Sequence, residues 1–366
     1  MKVLQFGMSS NGGGVESFII NYNKEIVKYG ITYDYISMED TIAYSKKIEE
    51  LGGRIIHIPY SNKHPIQSFF ALCKVTKEYD IIHVNMLCAA NILPLIAARI
   101  NGVKKIISHS HNTNTEGILR KLLHNINKAF LTELATDYVA CGDAAARWLF
   151  PRKIIDNNRY SLIYNAIDIE KFEFSEEKRM EIRSEFRISN DTLLLGCVGR
   201  ITLQKNIVFI IEVLEKIISK RNNTKLILVG NLESGYGKSV MEKINELNLS
   251  DFVIFAGERM DVNKFYSAFD VFCMPSLYEG LSYTAIESQV SNVKCIFSDK
   301  MDKECMIVPD VSFIGIDNAD TWAELIASYQ PKCRDIDNTA LFIERGYDLK
   351  KAAHELYALY QRDDTI

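Results

Sequence analysis

The stretch VFCMPSLYEGLSYTAIESQVSNVKCIFS, residues 271–298, decides the fold. It begins with an apolar run (271–276), turns at LYEGL, continues as a helical pattern (283–290) and ends in a second apolar run (294–298). Nearly continuous apolar runs are typical of strands buried on both faces of a parallel sheet. The stretch therefore predicts a strand–helix–strand unit of a doubly wound α/β fold.

The same alternation runs along the chain in two successive series. The strand candidates are residues 3–7, 33–37, 54–59, 80–85, 105–110 and 138–142 in the first series, and 193–200, 225–230, 252–257, 271–276 and 294–298 in the second. Helical patterns lie between them, for example at 88–100 and 117–133. Two series in 366 residues imply two Rossmann-like domains. The charged stretch 170–186 lacks strand character, so we place the boundary there, giving domains of residues 1–170 and 171–345, followed by an amphipathic C-terminal helix within 346–366.

The composition is that of a soluble globular protein, with 47% hydrophobic and 25% charged residues. No apolar run approaches the roughly 20 residues that a transmembrane helix needs, and the N-terminus lacks the pattern of a signal peptide. The eight cysteines are scattered singly, which indicates reduced thiols and not a disulfide or zinc framework. We therefore expect a cytoplasmic protein.

The charge is unevenly distributed. Residues 1–170 carry 19 Lys and Arg against 16 Asp and Glu, a net +3, whereas residues 171–366 carry 24 against 31, a net −7. A mildly basic first half suits an anionic partner such as a membrane surface, although chance composition explains the difference equally well. No basic cluster is interleaved with aromatic residues, so nucleic acid is not an expected partner. The helix ILRKLLHNINKAF (118–130) mixes cations with apolar residues and is compatible with peripheral membrane contact, but we expect most of its apolar positions to pack on the sheet.

Three motifs follow predicted strands, where doubly wound sheets bind their ligands. The first is GMSSNGGGVESF (7–18), whose glycines let the backbone approach a ligand and whose following helix offers free amides. It lacks the G-x-G-x-x-G spacing of a dinucleotide fingerprint. A plain tight turn is the alternative interpretation.

The second motif is GRITLQKN (199–206), in which Arg200 and Lys205 flank a loop that enters a helix. A guanidinium and an ammonium beside a helix N-terminus suit a diphosphate. Two solvated surface cations are the alternative. Asn206 is a candidate cap for the helix that follows.

The third motif contains two carboxylates, Glu279 in the loop and Glu287 on the helix. They could be the acid and base of a hydrolase, which stand about 5–9.5 Å apart. They could instead accept hydrogen bonds from sugar hydroxyls on either side of an anion site formed by the amides of residues 280–282. A turn cap and a solvated helix glutamate are the third interpretation, which composition alone favours.

Histidines form a further cluster, with His109 and His111 at the end of KIISHSHN and His83 near the end of another strand. H-x-H can ligate a metal, but further ligands downstream are lacking, so we expect no metal. A polar contact between one histidine and a substrate hydroxyl is the expected role, and a structural role is expected for the other.

Taken in order, the motifs resemble retaining glycosyltransferases of family 4, which have the GT-B fold of two Rossmann-like domains facing a central cleft. The resemblance covers nearly the whole chain and includes GGGVE (12–16), SHSHN (108–112), YNAIDIEKF (164–172), GRITLQKN (199–206), FAGERMDVNKFYSAFDVFCMPSLYEG (255–280) and the E-x₇-E pattern EGLSYTAIE (279–287). SHSHN makes it most similar to bacterial capsule and exopolysaccharide enzymes. Two positions depart from the family pattern: Ala166 replaces a usual glycine, and Ser282 stands where proline or glycine is frequent.

The resemblance implies roles for individual residues. Arg200 and Lys205 would hold the donor diphosphate and stabilise the leaving nucleotide, and Glu287 would bind the ribose hydroxyls. Glu279 would bind hydroxyls of the transferred sugar, and His111 would contact that sugar near the reaction centre. The remaining donor-site residues would be Gly13, Gly14, Gly230, Glu258, Arg259, Gly280, Leu281 and Ser282. The C-terminal helix would pack back on the N-terminal domain.

The resemblance also implies a reaction. A hexosyl unit would move with retention from a nucleotide sugar, expected to be a UDP-sugar, to a glycan acceptor linked to polyprenyl diphosphate. No metal or other cofactor would be needed, because cations and helix amides stabilise the leaving group. The N-terminal domain would bind the acceptor and the C-terminal domain the donor, in the cytoplasm or peripherally at the inner face of the membrane. An epimerase or hydrolase, or an inactive nucleotide-sugar-binding protein of the same fold, is the alternative.

Overall fold

The computed structural model describes residues 1–232, 234–279 and 281–362. Within it the chain forms two compact units. Unit 1 contains Met1–Ile167 together with the chain from Gly346 onward, and unit 2 contains Asp168–Arg345. The division after residue 167 lies three residues before the end of the first domain as we drew it from the sequence.

The sheet of unit 1 is parallel and has seven strands in the described part of the chain: β1 (Lys2–Phe6), β2 (Thr32–Ser37), β3 (Ile55–His57), β4 (Ile81–Met86), β5 (Lys105–Ser110), β6 (Asp137–Ala140) and β7 (Ser161–Leu162). Their spatial order is β3-β2-β1-β4-β5-β6-β7. In register, Val3 of β1 pairs with Tyr33 on one side and Ile81 on the other. All three side chains are buried, which explains the nearly continuous apolar runs of these strands.

Helices of unit 1 connect successive strands, as a parallel sheet requires. They are α1 (Gly14–Ile26), α2 (Ser45–Glu50), α3 (Pro65–Thr76), α4 (Leu93–Ile100), α5 (Ile118–Lys128), α6 (Leu131–Leu134), α7 (Asp143–Leu149) and α8 (Arg152–Ile155).

Unit 2 begins with two helices, α9 (Ile169–Phe172) and α10 (Glu176–Glu185). A six-stranded parallel sheet follows in the described residues, composed of β8 (Leu193–Val198), β9 (Thr224–Val229), β10 (Val253–Gly257), β11 (Val271–Met274), β12 (Lys294–Ser298) and β13 (Val311–Ile314). Their spatial order is β10-β9-β8-β11-β12-β13. The remaining helices of this unit are α11 (Ile207–Ile218), α12 (Ser234–Glu246), α13 (Val262–Ala268), α14 (Tyr283–Val290), α15 (Ala319–Ser328) and α16 (Thr339–Glu344).

The core of unit 2 lies between β8 and β9 of the sheet and the apolar faces of α11 and α15. Ile210 and Leu214 of α11 are fully buried, as is Trp322 of α15, whose ring meets that of Phe209 edge-on. The apolar stripe of α11 faces this core, which leaves the loop before the helix in a fixed place at the end of β8.

The last helix, α17 (Leu349–Gln361), belongs to unit 1 by its contacts. It packs against α1, and its Tyr360 hydroxyl lies 2.9 Å from that of Tyr33. The amide of Leu349 donates to the carbonyl of Ile167, so the chain re-enters unit 1 beside the place where it left.

Several expectations from the sequence need correction. Two short strands, β7 and β13, were not predicted, and the helix expected at 88–100 begins only at Leu93. Asn206 does not cap α11 through its side chain; its backbone is left-handed instead, with φ of 53°.

The apolar positions of α5 depart furthest from expectation. We expected most of them to pack on the sheet, and this is wrong, because Ile118, Leu119 and Leu122 are 90%, 69% and 54% exposed.

Candidate active site

In the sheet of unit 2, β8 to β10 are added toward one edge and β11 to β13 toward the other. The strand order therefore reverses between β8 and β11, which are neighbours in space but not in sequence. Such a switch point is where doubly wound folds bind ligands, beyond the carboxyl ends of the strands. A pocket lies there. Its lining includes Gly199 and Ile201 after β8, Pro275 and Ser276 after β11, and the side chain of Lys205.

Glycines bring the loop after β8 against the loop after β9. Gly230 has φ of +143°, and a Cβ atom at this position would lie 2.0 Å from the carbonyl oxygen of Gly199. Gly199 itself has φ of +130°, and its Cβ would lie 3.2 Å from Cε of Lys205. Only glycine adopts such backbone at low cost. The two glycines therefore hold the loop that carries Arg200 and Lys205.

We predict that Gly230→Ala destabilises unit 2 by about 2–5 kcal/mol, because the methyl group meets a backbone carbonyl at a φ that side chains disfavour. Urea unfolding followed by circular dichroism measures this. Gly235→Ala is the matched control, since a Cβ at Gly235 in α12 meets nothing within 4 Å and alanine is the better helix former. Equal unfolding midpoints for Gly230→Ala and the unmodified protein would contradict the close approach.

An ion pair joins the two loops that border the pocket. The Nζ atom of Lys205 lies 2.7 Å from Oε1 of Glu279, and the two side chains are 18% and 9% exposed. The hydroxyl of Ser276 donates to the same oxygen at 3.0 Å. The amide of Gln204 donates to the carbonyl of Tyr278 and strengthens the connection. The structure thus brings Lys205 and Glu279 together, a pairing that the sequence did not predict.

Arg200 extends from the same loop into solvent. Its guanidinium forms no ion pair or hydrogen bond with any residue that the structure describes. An unpaired guanidinium next to a pocket that already contains an ammonium favours an anionic ligand, and it presents planar donors suited to phosphate.

Glu287 lies half-buried on α14, and the hydroxyl of Tyr266 donates to its Oε2 at 2.8 Å. Burial raises the pKa of Glu287 to about 7, against the opposing effects of the Tyr266 hydrogen bond and the charges of Lys171 and Lys205. A carboxylate with so little hydration is costly unless donors approach it. Ligand hydroxyls would supply such donors.

The loop between Glu279 and α14 contains three predicted donor-site residues. Leu281 and Ser282 are buried. The hydroxyl of Ser282 pairs with that of Thr284 at 3.0 Å and does not cap the helix. Gly280 lies outside the described residues, so its place in the site stays a prediction.

Two further predicted donor-site residues, Glu258 and Arg259, follow β10. Glu258 is exposed. The guanidinium of Arg259 donates to the carboxylates of Asp261 and Glu185 and lies over the ring of Phe265. Arg259 therefore has a complete set of protein partners in this structure, in contrast to Arg200.

In unit 1, the glycine loop after β1 is organised by Glu16. Its carboxylate accepts hydrogen bonds from the amide of Ser9 at 3.1 Å and from the amide of Gly13 at 3.0 Å. The amide of Gly13 is therefore engaged within the loop. Gly14 begins α1, is exposed, and has open space where a side chain would be.

Three histidines of unit 1 form a contiguous group, in which His83 and His109 are buried and His111 is partly buried. Nε2 of His83 lies 3.0 Å from Nδ1 of His109, and the other ring nitrogen of His83 lies 2.8 Å from the hydroxyl of Tyr360 on α17. The rings of His109 and His111 are 4.0 Å apart between centroids. Burial lowers the pKa of His83 and of His111 to about 3, so both rings are neutral at physiological pH.

The hydrogen-bond partner of His111 determines which of its two ring nitrogens carries the proton. Its Nε2 lies 2.9 Å from Oδ1 of Asn85, whose amide nitrogen already donates to Gln5 and to the carbonyl of Phe6. Nε2 of His111 therefore donates, and in a neutral ring Nδ1 is left as an acceptor. His111 can thus accept a hydrogen bond from a hydroxyl group.

The described residues form neither a group of metal ligands nor a membrane-spanning helix. In this part of the chain no three His, Cys, Asp or Glu side chains are arranged to hold a metal ion. No described helix has the length and apolar character needed to cross a membrane.

Comparison with known proteins finds a different family model for each half of the chain. Residues 12–171 match the family model Glycosyltransferase Family 4, and residues 178–330 match the model Glycosyl transferases group 1. The chain is a glycosyltransferase with one domain of each of these families. Its two parallel sheets with flanking helices form the GT-B fold, as the resemblance of the motifs predicted.

Relatives of this glycosyltransferase include bacterial enzymes. It is 28% identical to EpsF of Bacillus subtilis, a protein classed as a glycosyltransferase, over 98% of this chain and 96% of that protein. It is 24% identical to the UDP-Gal:alpha-D-GlcNAc-diphosphoundecaprenol alpha-1,3-galactosyltransferase of Escherichia coli, over 81% of this chain and 79% of that enzyme. Among solved structures, Anabaena HepE in complex with UDP and glucose matches 99% of this chain and 100% of its own with a TM-score of 0.82 at 17% identity.

Proposed function

We propose that this glycosyltransferase moves a hexosyl unit, with retention of anomeric configuration, from a UDP-sugar to a glycan acceptor linked to polyprenyl diphosphate, in capsule or exopolysaccharide synthesis. The observation that carries the proposal is the set of charged groups at the switch point of unit 2. Lys205 and Arg200 lie on one loop there, Glu279 on the adjoining loop, and the weakly hydrated Glu287 on α14.

In this proposal the cations and carboxylates have separate roles. Lys205 and Arg200 bind the diphosphate and stabilise the negative charge that develops on its oxygens as the glycosidic bond breaks. Glu287 accepts hydrogen bonds from the ribose hydroxyls, and Glu279 from hydroxyls of the transferred sugar. His111 accepts a hydrogen bond from a sugar hydroxyl through Nδ1.

The donor and acceptor are proposed from similar proteins. The E. coli relative is named for a UDP-galactose donor and a diphosphoundecaprenol-linked acceptor, and HepE was solved with UDP and glucose. Gly14, Gly230, Leu281 and Ser282 would contribute backbone surface to substrate binding, together with Gly13 and Gly280. Glu258 and Arg259 would lie beside the base, where the ion pairs of Arg259 with Asp261 and Glu185 favour a supporting role.

The proposed chemical step is transfer on one face of the sugar. The bond between the anomeric carbon and the diphosphate oxygen breaks, and the acceptor hydroxyl forms the new bond on the same face. The departing phosphate takes the acceptor proton. Because the leaving group is stabilised by protein cations, we propose that no metal ion is required.

Donor binding can be tested with a thermal-shift series using UDP, GDP and ADP on the unmodified protein and on Glu287→Ala. A ligand at a hundredfold excess over Kd stabilises the folded state by about 2.7 kcal/mol. We expect a shift with UDP that is lost in the variant. A shift with GDP or ADP alone would overturn the assignment of the base.

The reaction can be tested with UDP-sugars and a polyprenyl-diphosphate-linked sugar, with the product analysed by NMR. We expect a glycan with an α linkage from an α-configured donor, formed equally well in EDTA. Free or epimerised sugar would indicate a hydrolase or epimerase, a β linkage would exclude retention, and UDP binding without any product would indicate an inactive binding protein.

A further inference from the structure

Helix α5 (Ile118–Lys128) is held to unit 1 by its polar side. His124 is buried, its Nδ1 accepts a hydrogen bond from the amide of Ala89 at 3.1 Å, and its ring stacks on Trp148 at 4.1 Å between centroids. The side-chain amide of Asn127 donates to the carbonyl of Ala89 at 2.8 Å. Nζ of Lys128 donates to the carbonyl of Trp148 at 2.6 Å. The polar residues of α5 therefore supply its attachment.

The apolar side of α5 faces solvent. At 3.6 residues per turn, the apolar side chains of 118–130 fall on one arc of about 140°. We call this arc the α5 apolar face; its members and their exposed fractions are Ile118 (90%), Leu119 (69%), Leu122 (54%), Leu123 (38%), Ile126 (52%) and Phe130 (53%). A surface helix normally directs such an arc at the core. In α5 the polar side meets the protein and the apolar side meets solvent. A contiguous exposed apolar surface of this kind marks an interaction site.

The charged side chains within residues 118–130 are of one sign, whereas the exposed Glu116 and Glu133 lie just outside this segment. Residues 118–130 contain Arg120, Lys121 and Lys128 and no Asp or Glu. Arg147 and Arg152, on the neighbouring α7 and α8, are exposed as well. An apolar face bordered by cations is complementary to a surface that is apolar inside and anionic outside, such as a bilayer with acidic headgroups.

We propose that the α5 apolar face docks this glycosyltransferase on an anionic lipid bilayer, with the helix lying in the plane of the interface. The 11 residues of α5 span about 16 Å at 1.5 Å per residue. That length is too short to cross a hydrocarbon core of about 30 Å but suits an interfacial helix. The inference does not rest on the donor chemistry, because it is read from the surface of unit 1 alone.

The test is co-sedimentation of the full chain with vesicles of phosphatidylcholine, with and without phosphatidylglycerol, in the absence of any sugar nucleotide. We expect binding to the anionic vesicles that weakens as salt is raised. The triple variant Leu119→Glu, Leu122→Glu, Ile126→Glu should bind at least about tenfold more weakly, because charge replaces the apolar contact. Its melting temperature should be unchanged, since the three side chains are exposed.

Two controls make the result specific. Met180→Glu, at a 47% exposed position on α10 of unit 2, should bind vesicles like the unmodified protein. Lys121→Gln should reduce the preference for anionic vesicles and leave folding intact. Absence of binding to either vesicle, or equal binding by the triple variant, would overturn the proposal. If light scattering shows a dimer that the triple variant dissociates, and vesicles bind neither form, the face is instead a contact between two copies of the chain.

Discussion

Replacing Glu287 by glutamine should stabilise this glycosyltransferase at pH 8 and, in the same variant, weaken its binding of UDP. Burial raises the pKa of Glu287 from its ordinary 4.5 to about 7. Each unit corresponds to about 1.4 kcal/mol, so the ionised carboxylate costs the ligand-free protein up to about 3 kcal/mol above neutral pH. The side chain keeps partial contact with solvent, which makes this an upper value. Glutamine removes that cost.

The sign of the pH effect follows from where the proton is bound. Between pH 4.5 and about 7 the folded protein keeps a proton on Glu287 that the unfolded chain has released. The contribution of this group to stability is therefore largest at the acidic end, and it is lost as pH rises through the folded pKa of about 7. We expect the stability difference between Glu287→Gln and the unmodified protein to grow over this window and to level off above it.

UDP binding should respond in the opposite direction. In the proposed binding mode the ribose hydroxyls donate to the ionised carboxylate, so UDP affinity should rise by up to about tenfold per pH unit below the pKa and reach a plateau above it. At pH 8 glutamine should lower the affinity by about 10- to 100-fold, the usual value of hydrogen bonds to a charged group. Isothermal titration at several pH values measures both effects.

The control for Glu287→Gln is Glu242→Gln, which removes an exposed carboxylate on α12. It should change neither the stability nor the UDP affinity. If Glu287→Gln left UDP affinity and its pH profile unchanged, Glu287 would be a structural residue. A loss of stability at pH 8 would show that its carboxylate is already compensated inside the protein.

The sequence was sufficient to predict most strands of the two sheets and the loops after them, since these depend on local patterns. Strands β8 to β12 of unit 2 follow from apolar runs, whereas the short strand β13 was not predicted. The partners of the site residues were not predictable. Tyr266, which donates to Glu287, lies in a helix with no distinguishing signal, and Glu185, which engages Arg259, lies 74 positions away in the chain.

The orientation of α5 is a second feature that the sequence could not predict. Its sequence predicts one apolar and one polar face but not which of them meets the protein. Hydrogen bonds to the backbone of Ala89 and Ala90 determine the orientation. The amide of Ala89 donates to His124, and the side-chain amide of Asn127 donates to the carbonyls of Ala89 and Ala90. Because buried backbone groups must be paired, these few hydrogen bonds hold the polar face inward, an outcome that helical periodicity alone does not contain.

Lys205→Met should lower kcat by about 10²–10³-fold, the effect of removing one preorganised group that stabilises developing charge. Methionine keeps most of the length and the apolar stem of lysine but cannot neutralise the departing diphosphate. Lys225→Met is the matched control, because Nζ of Lys225 contacts only the exposed carbonyl of Asp251 among the described residues. It should keep full activity in a continuous assay of UDP release.

The partner of Lys205 allows its catalytic role to be separated from a structural one. Lys205→Met leaves the carboxylate of Glu279, 9% exposed, without its cation, and this should lower stability as well as turnover. In the double variant Lys205→Met, Glu279→Gln, the unpaired charge is gone, so the melting temperature should recover while kcat stays low. Recovery of both would mean that the ion pair only holds the two loops together. A loss of kcat in a stable double variant that exceeds the loss in Glu279→Gln alone would mean that the charge on Lys205 acts on the leaving group, because the fold is then intact and the missing ammonium is the only further change.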